Sequence, residues 1–173
     1  MDTYYTIEEK YLQAVEEVSY GESPKAFQLL KEIIENDPLY ARAHFQLGKI
    51  YYYEIKDYQT AGYHFKTCMD LEPSFPDNYF HYLSLLIFLK MEKQVDLIIK
   101  KALSIAGVNA ASIYDLQGLF FEKKKCFTQA LTAYQNALNE TTGKAQKEEI
   151  EESLDRVKEK LKRGLTIHYQ LTG

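Results

Sequence analysis

Residues 41–73 decide the fold class, and they read ARAHFQLGKIYYYEIKDYQTAGYHFKTCMDLEP. Apolar residues recur every three or four positions over 41–54 and again over 58–71, which is the period of an amphipathic helix. Pro73 follows the second of these segments, at a position where a helix is expected to have ended. The stretch therefore predicts two helices joined by a short turn.

The same pattern recurs along the chain at intervals of 34 or 35 residues. Every second helix carries a small or β-branched residue, then a large apolar residue four positions later, then another small or apolar residue three positions after that. A small residue lets two helices approach closely, and the large one fills the groove between them. The three columns are Ala26, Ala61, Val95 and Ala130; Leu30, Phe65, Ile99 and Tyr134; and Ile33, Cys68, Ala102 and Ala137.

Helical periodicity extends over nearly the whole chain and predicts nine helices. Thr6 and Glu9 have the spacing of a capping box that opens the first helix. Ser23 and Pro24 are expected at the N-cap and N1 positions of the second. The predicted ranges are 6–20, 23–36, 41–54, 58–71, 77–90, 93–106, 110–123, 127–140 and 144–164.

These residues resemble the tetratricopeptide repeat (TPR) family. Residues 41–73 supply the family's Leu-Gly pair at Leu47 and Gly48, its tyrosine at Tyr51 and its closing proline at Pro73, whereas His44 replaces the usual tryptophan. One extra residue lies in the turn near Lys56. The third repeat matches at Tyr79, Tyr82, Leu83, Leu86, Val95, Ile99 and Ala102, and the fourth at Tyr114, Gly118, Phe121, Phe127, Ala130, Tyr134 and Ala137.

The resemblance implies an all-α fold, an α-solenoid of about four TPR-like helix-turn-helix repeats with a C-terminal capping helix. The repeat domain is expected over residues 1–143, with repeats at about 5–38, 41–73, 77–107 and 110–142. A narrow apolar stripe predicts the capping helix over 144–165; it consists of Ile150, Leu154, Val157, Leu161 and Leu165. The same stripe could instead pair with a second copy of the chain. Residues 166–173 are expected to form a tail without helical signal.

The first helix of each pair lines a concave groove in the TPR family, so the resemblance implies a set of partner-binding residues. In the second repeat they are Arg42, Phe45, Gln46, Lys49, Tyr52 and Tyr53; in the third, Phe80, His81, Ser84, Ile87 and Phe88; in the fourth, Leu116, Leu119 and Glu122. The set is rich in apolar and aromatic side chains, which usually marks a binding site when it is exposed. Superhelical curvature or the C-terminal tail could also bury it within the chain.

Some members of the family hold a terminal carboxylate with Lys, Asn and Arg at fixed groove positions. The corresponding third-repeat positions hold Asp77 and His81, and the position that requires Asn holds Gln46. Lys49 and Arg42 alone are too few for such a clamp, so the sequence disfavours it.

Several classes of function are disfavoured by composition and motif content. A net charge of −4 and a pI near 5.6 argue against a nucleic-acid binder. The His and Cys spacings match no metal site, and no nucleophile elbow, phosphate loop or dinucleotide fingerprint occurs. No apolar run approaches the roughly 18 residues of a membrane span. We expect no enzyme, metal or cofactor and no membrane insertion, and we expect a cytoplasmic protein with reduced cysteines.

The predicted function is protein–protein recognition, with the chain as an adaptor or scaffold that binds an extended peptide or an amphipathic helix of another protein. Two alternatives stay open. The chain could be a self-assembling structural subunit, with homodimers formed through the last helix, or a holdase-type chaperone for a client protein.

Overall fold

The computed structural model describes the backbone of residues 6–172 and the side chains of residues 6–163. The described part is helical throughout and contains no strand. The helices are α1 Ile7–Tyr20, α2 Ser23–Asn36, α3 Ala41–Ile50, α4 Tyr58–Leu71, α5 Asp77–Phe88, α6 Glu92–Ala102, α7 Ala110–Lys123, α8 Phe127–Glu140 and α9 Lys144–Thr172. The fold class is that predicted from the sequence, an all-α solenoid of helix pairs.

The chain divides into two compact units, one ending at Leu89 and the other beginning at Lys90, in the turn between α5 and α6. In the first unit each helix from α1 to α5 packs against the next along the chain. Buried side chains of α1, α2 and α3 form one apolar cluster, which includes Ala14, Leu30, Ile33 and Leu47. Consecutive packing of this kind is the construction principle of a helical-repeat solenoid.

In the second unit α7 packs against α6 and α8, and α9 packs against α8. Three residues of the predicted stripe on α9, Ile150, Leu154 and Val157, are buried in one cluster with Ala130, Tyr134 and Ala137 of α8. The first half of α9 thus covers the apolar face of α8, which would otherwise meet water.

The three repeating columns are the packing residues that the sequence predicted, since none of their twelve side chains is more than 3% exposed. The glycines explain how closely the paired helices approach. A Cβ atom at Gly48 would lie 2.6 Å from the Phe65 ring, and one at Gly118 would lie 2.5 Å from the Tyr134 ring. Both rings belong to the second column, so the large residue of one helix occupies the space that the glycine leaves on its partner.

The described structure corrects the predicted helices at four places. Helix α2 begins at Ser23 and has Glu22 as its N-cap, so Ser23 is not the cap. Helix α6 ends at Ala102 instead of near 106, and Gly107 follows with a positive φ of 84°. Helix α9 continues to Thr172, through most of the segment predicted as a tail. The capping box of Thr6 and Glu9 is confirmed.

The fourth correction concerns the end of α3, which continues as a π-helical segment over Tyr51–Ile55. Lys56, Lys90 and Lys125 take the left-handed conformation at the turn of their repeats, with φ of 65°, 58° and 60°. Lys56 lies one residue further from Gly48 than Lys125 does from Gly118. The extra residue predicted near Lys56 is therefore absorbed by a wider helical turn and not by a longer loop.

Candidate protein-interaction surface

The predicted groove residues of the first unit lie on α3, the π segment and α5, and they divide into two groups by burial. Those open to solvent are Arg42, Tyr53, Phe80 and Phe88, with Lys49, Tyr52, His81 and Ser84 partly exposed. The others, Phe45, Gln46 and Ile87, are buried and offer a partner little surface. The sequence could not separate the groups because both occur on the predicted groove face of the same two helices.

Phe45 shows why a position that the resemblance assigns to the groove becomes part of the core. The centroid of its ring lies 5.1 Å from the ring centroid of Phe75 and 5.5 Å from that of His81. Only 4% of the residue is exposed. Phe75 belongs to the turn before α5, which the repeat pattern does not place. Phe45 therefore forms the floor beneath the exposed side chains, and its prediction as a contact residue is corrected.

The aromatic side chains above this floor form a connected set, which we call the aromatic surface: Tyr52, Tyr53, Phe80, His81 and Phe88. Ring centroids lie 4.5 Å apart for Tyr52 and Tyr53, 5.3 Å for Phe80 and His81, and 6.5 Å for Tyr52 and Phe88. Tyr53, Phe80 and Phe88 are 42%, 39% and 50% exposed. Large apolar residues that are exposed together, not singly, are characteristic of binding sites.

The π segment carries both tyrosines of the aromatic surface. The Tyr53 hydroxyl lies 2.8 Å from Nδ1 of His81 on α5, within hydrogen-bond distance. Burial raises the pKa of Tyr53 to about 12. Burial, together with the nearby charge of Lys49, lowers the pKa of His81 to about 4. Near neutral pH both groups are uncharged, so this contact joins α3 and α5 without adding charge to the surface.

Two cations border the aromatic surface, and their environments differ. Arg42 forms an ion pair with Glu72 at 3.4 Å and lies over the ring of Phe75. Lys49 places its Nζ atom 5.2 Å from the centre of the Phe45 ring and 3.2 Å from Oε1 of Gln46. Burial lowers the pKa of Lys49. Among the described residues no carboxylate lies within ion-pair distance of this ammonium group.

In the second unit two of the three predicted groove residues are buried. Leu116 is buried, Leu119 is partly exposed, and Glu122 is buried with 8% exposure. Glu122 accepts hydrogen bonds from the Tyr134 hydroxyl, from Nε and Nη2 of Arg156, and from Nζ of Lys160, at 2.7 to 2.9 Å. Its prediction as a partner-binding residue is corrected, because it joins α7 to α8 and α9.

The electrostatics of Glu122 follow from these contacts. The Arg156 guanidinium, with Lys160 and Tyr134, lowers the pKa of Glu122 to about 2 against the opposing effect of burial. Arg156 has Glu152 four residues earlier, at the spacing of an ion pair within one helix. Its recorded hydrogen bonds go instead to Glu122 and to Ser153. The 34-residue repeat relates packing positions and predicts no ion pair between them, so the sequence contains no signal for this pair.

Sequence reasoning also missed a buried histidine pair in the first unit. Nδ1 of His44 lies 2.9 Å from Nδ1 of His64, and Nε2 of His44 lies 2.9 Å from the carbonyl oxygen of Pro38. Burial and the neighbouring imidazole lower the pKa of His64 to about 4. His44 occupies the position of the family's tryptophan, so its ring replaces an apolar side chain and requires a polar partner beneath it.

Other kinds of site find little support in the described part of the chain. No group of three or more His, Cys, Asp or Glu side chains there is arranged to hold a metal ion. No described helix is both long and apolar enough to cross a membrane. Both cysteines are free, Cys68 buried and Cys126 partly exposed. Burial raises the pKa of the Cys68 thiol to about 12, which makes it a poor nucleophile.

These features define a helical-repeat protein of the α-solenoid class, with an aromatic surface on one unit. No family model matches the sequence, and no curated protein matches it. Solved structures do match. The protein described as MamA 41-end from Desulfovibrio magneticus RS-1 is 19% identical with a TM-score of 0.67, over 91% of this chain and 96% of that one.

Two further matches agree in fold. A crystal structure of MamA protein is 16% identical with a TM-score of 0.68, over 92% of this chain and 94% of that chain. A crystal structure of PilW, described as a widely conserved type IV pilus biogenesis factor, is 18% identical with a TM-score of 0.68, over 77% of this chain and 61% of that chain. At these identities the likeness concerns the fold, which is that of TPR-like helical repeats.

Proposed function

We propose that the chain is a protein-interaction scaffold that binds a peptide or an amphipathic helix of a partner protein at the aromatic surface of its first unit. The observation that carries this proposal is the joint exposure of Tyr53, Phe80 and Phe88 beside the partly exposed Tyr52 and His81. Aromatic side chains supply large contact areas at a low cost in conformational entropy, and they often dominate the energy of an interface.

The floor of the surface supports this function. Phe45 and Phe65 are buried beneath it, and the contact between Tyr53 and His81 links α3 to α5. A partner would therefore meet side chains that are already held in place, which reduces the entropy lost on binding. Amphipathic helices that dock into such surfaces insert apolar side chains at helical spacing.

Self-assembly through the last helix has less support. Three of the five stripe residues, Ile150, Leu154 and Val157, are already buried against α8 of the same chain. Leu161 is partly exposed, and Leu165 lies outside the residues whose side chains are described. No observation favours a holdase-type chaperone in particular, and the cytoplasmic location stays a prediction.

The test is affinity capture from cells that contain the chain, with purified wild type, Phe80→Glu and Tyr63→Glu as baits. Tyr63 is the matched control, an exposed aromatic residue of the same unit on α4. We expect Phe80→Glu to lose partner proteins that wild type and Tyr63→Glu retain, with the melting temperature within a few degrees of wild type. Equal capture by all three baits would contradict the proposed surface. A large loss of melting temperature in Phe80→Glu would instead show that Phe80 is a core residue.

A further inference from the structure

Lys49 constrains the chemistry of whatever covers the aromatic surface. It precedes Tyr52 and Tyr53 by three and four residues, so it lies one helical turn from them on the same side of the α3 segment. Its Nζ atom lies over the ring of Phe45, which is itself in contact with His81. A segment that covers Tyr53 and His81 therefore lies next to the ammonium group of Lys49, whose charge also acts on His81.

The ammonium group is already short of compensating charge before anything binds. It donates a hydrogen bond to a neutral amide, at Oε1 of Gln46. The carboxylate of Asp77 on α5 favours the charged form of this ammonium group, but only from beyond ion-pair distance. The carboxylate of Glu72 is paired with Arg42. Removing the remaining water from an ammonium group that has no ion-pair partner is energetically costly. A purely apolar occupant would incur this cost in full, whereas a carboxylate placed at Nζ would offset it.

We propose that the aromatic surface binds a protein segment in which one internal Asp or Glu, flanked by apolar side chains, pairs with Lys49. This inference rests on the proposed function and adds the chemistry of the partner. The apolar flanks meet Tyr52, Tyr53, Phe80 and Phe88, and the carboxylate meets the ammonium group at the edge of the same surface.

The charges around Lys49 favour a side-chain carboxylate over the free C-terminus of a chain. Arg42 is paired, His81 is neutral, and Asp77 adds a negative charge close to the same place. Lys49 is thus the one cation left to receive an anion among the described residues of this surface. One lysine is enough to pair with one side-chain carboxylate. The terminal carboxylate of a chain is held by donors from several residues, which this surface does not provide.

The test begins with selection of random displayed peptides on the purified full chain, in two libraries. One library embeds the peptides internally, so that no free carboxyl terminus is offered, and the other ends in a free terminus. We then synthesise the selected peptides whose binding is lost with Phe80→Glu. Each keeps the form in which it was selected, so the peptides from the embedded library carry amidated C-termini. Their dissociation constants are then measured against wild type, Lys49→Met, Lys49→Glu and the control Lys31→Met. Lys31 is matched to Lys49, because its Nζ atom also lies over a ring in the first unit, 5.8 Å from the centre of Phe27.

We expect peptides from the embedded library to share an Asp or Glu between apolar residues. Lys49→Met should weaken them by roughly tenfold or more and Lys49→Glu further, whereas Lys31→Met should leave binding unchanged. Replacing the shared acid of the peptide by Lys should restore binding to Lys49→Glu. Melting curves confirm that each variant is folded.

Three outcomes would overturn the inference. Equal or tighter binding by Lys49→Met would show that the occupant brings no carboxylate to this lysine, while the proposed function would stand. Peptides that require a free terminus would assign the charge to a C-terminal carboxylate. A selection that yields no peptide dependent on Phe80 would contradict the proposed function itself, and the inference would fall with it.

Discussion

Replacement of Glu122 by Gln tests whether the buried carboxylate holds α9 onto the second unit. The substitution keeps the shape of the side chain and removes its charge. Tyr134, Arg156 and Lys160 would then donate toward a neutral amide, whose NH₂ group offers them no acceptor. The stability of the folded state should fall, and the loss should be greatest in α9.

The magnitude follows from the pKa of Glu122. Its pKa falls from an ordinary value of 4.5 to about 2, which corresponds to about 3 kcal/mol of stability at neutral pH. The side chains of Arg156 and Lys160 are 46% and 45% exposed, so solvent screens part of this interaction. We therefore expect Glu122→Gln to cost about 2 kcal/mol, or a fall of about 4–8 °C in melting temperature.

The assay is thermal and urea denaturation followed by circular dichroism, with amide hydrogen exchange to locate the effect in α9. The control is Glu92→Gln, which removes an exposed ion pair with Lys124 in the same unit and should cost well under 1 kcal/mol. The difference in the free energy of unfolding between wild type and Glu122→Gln should shrink as the pH falls from about 4.5 toward 2, because the carboxylate of Glu122 then becomes protonated. If Glu122→Gln costs no more than Glu92→Gln at pH 7, the buried network does not anchor the helix.

Two further predictions concern the first unit. Gly48→Ala should destabilise the chain by about 1–3 kcal/mol, because its Cβ atom would lie 2.6 Å from the Phe65 ring. Gly62→Ala, whose Cβ atom meets nothing closer than 3.7 Å, should stabilise it by about 0.5–1 kcal/mol; similar melting temperatures for the two variants would refute the close-approach argument. His64 should also contribute roughly 1–2 kcal/mol to a loss of folded-state stability between pH 7 and pH 5, because its pKa is about 4 when folded and 6.5 when unfolded, so the unfolded chain binds the proton first. His81, whose pKa is also lowered to about 4, adds a loss in the same direction. Urea denaturation at the two pH values measures this loss, and an equal decline in His64→Gln would assign it to other groups.

The fold class could be predicted from the sequence because the packing signal repeats. A single small residue in a helix indicates little, but three columns that recur at 34 or 35 residues fix which face of each helix meets its neighbour. The structure confirms this at every column position, including Phe65 and Tyr134, the two rings that pack against glycines. Local signals such as the capping box of Thr6 also succeeded, because both of its partners lie within one turn.

The candidate surface was predictable only in part. The resemblance to the TPR family implied the face that carries Phe80, Phe88 and Lys49, but it gave no means of knowing that Phe45 would be covered. The covering ring of Phe75 comes from a turn 30 residues away, and its position depends on how α3, α4 and α5 pack. The burial of a helical face is a property of its neighbours, so one helix considered alone cannot show it.

What the sequence by itself determined is the helical repeat, its period and the residues that pack each pair, because these depend on local periodicity and on side-chain size. Tertiary structure alone decided which polar groups become partners. Glu122 meets Arg156, His44 meets His64, and Lys49 has no carboxylate within ion-pair distance among the described residues, since each result depends on where helices distant in sequence place a few atoms. Hydrogen bonds and ion pairs act over about 3 Å, and no repeat pattern fixes positions to that precision.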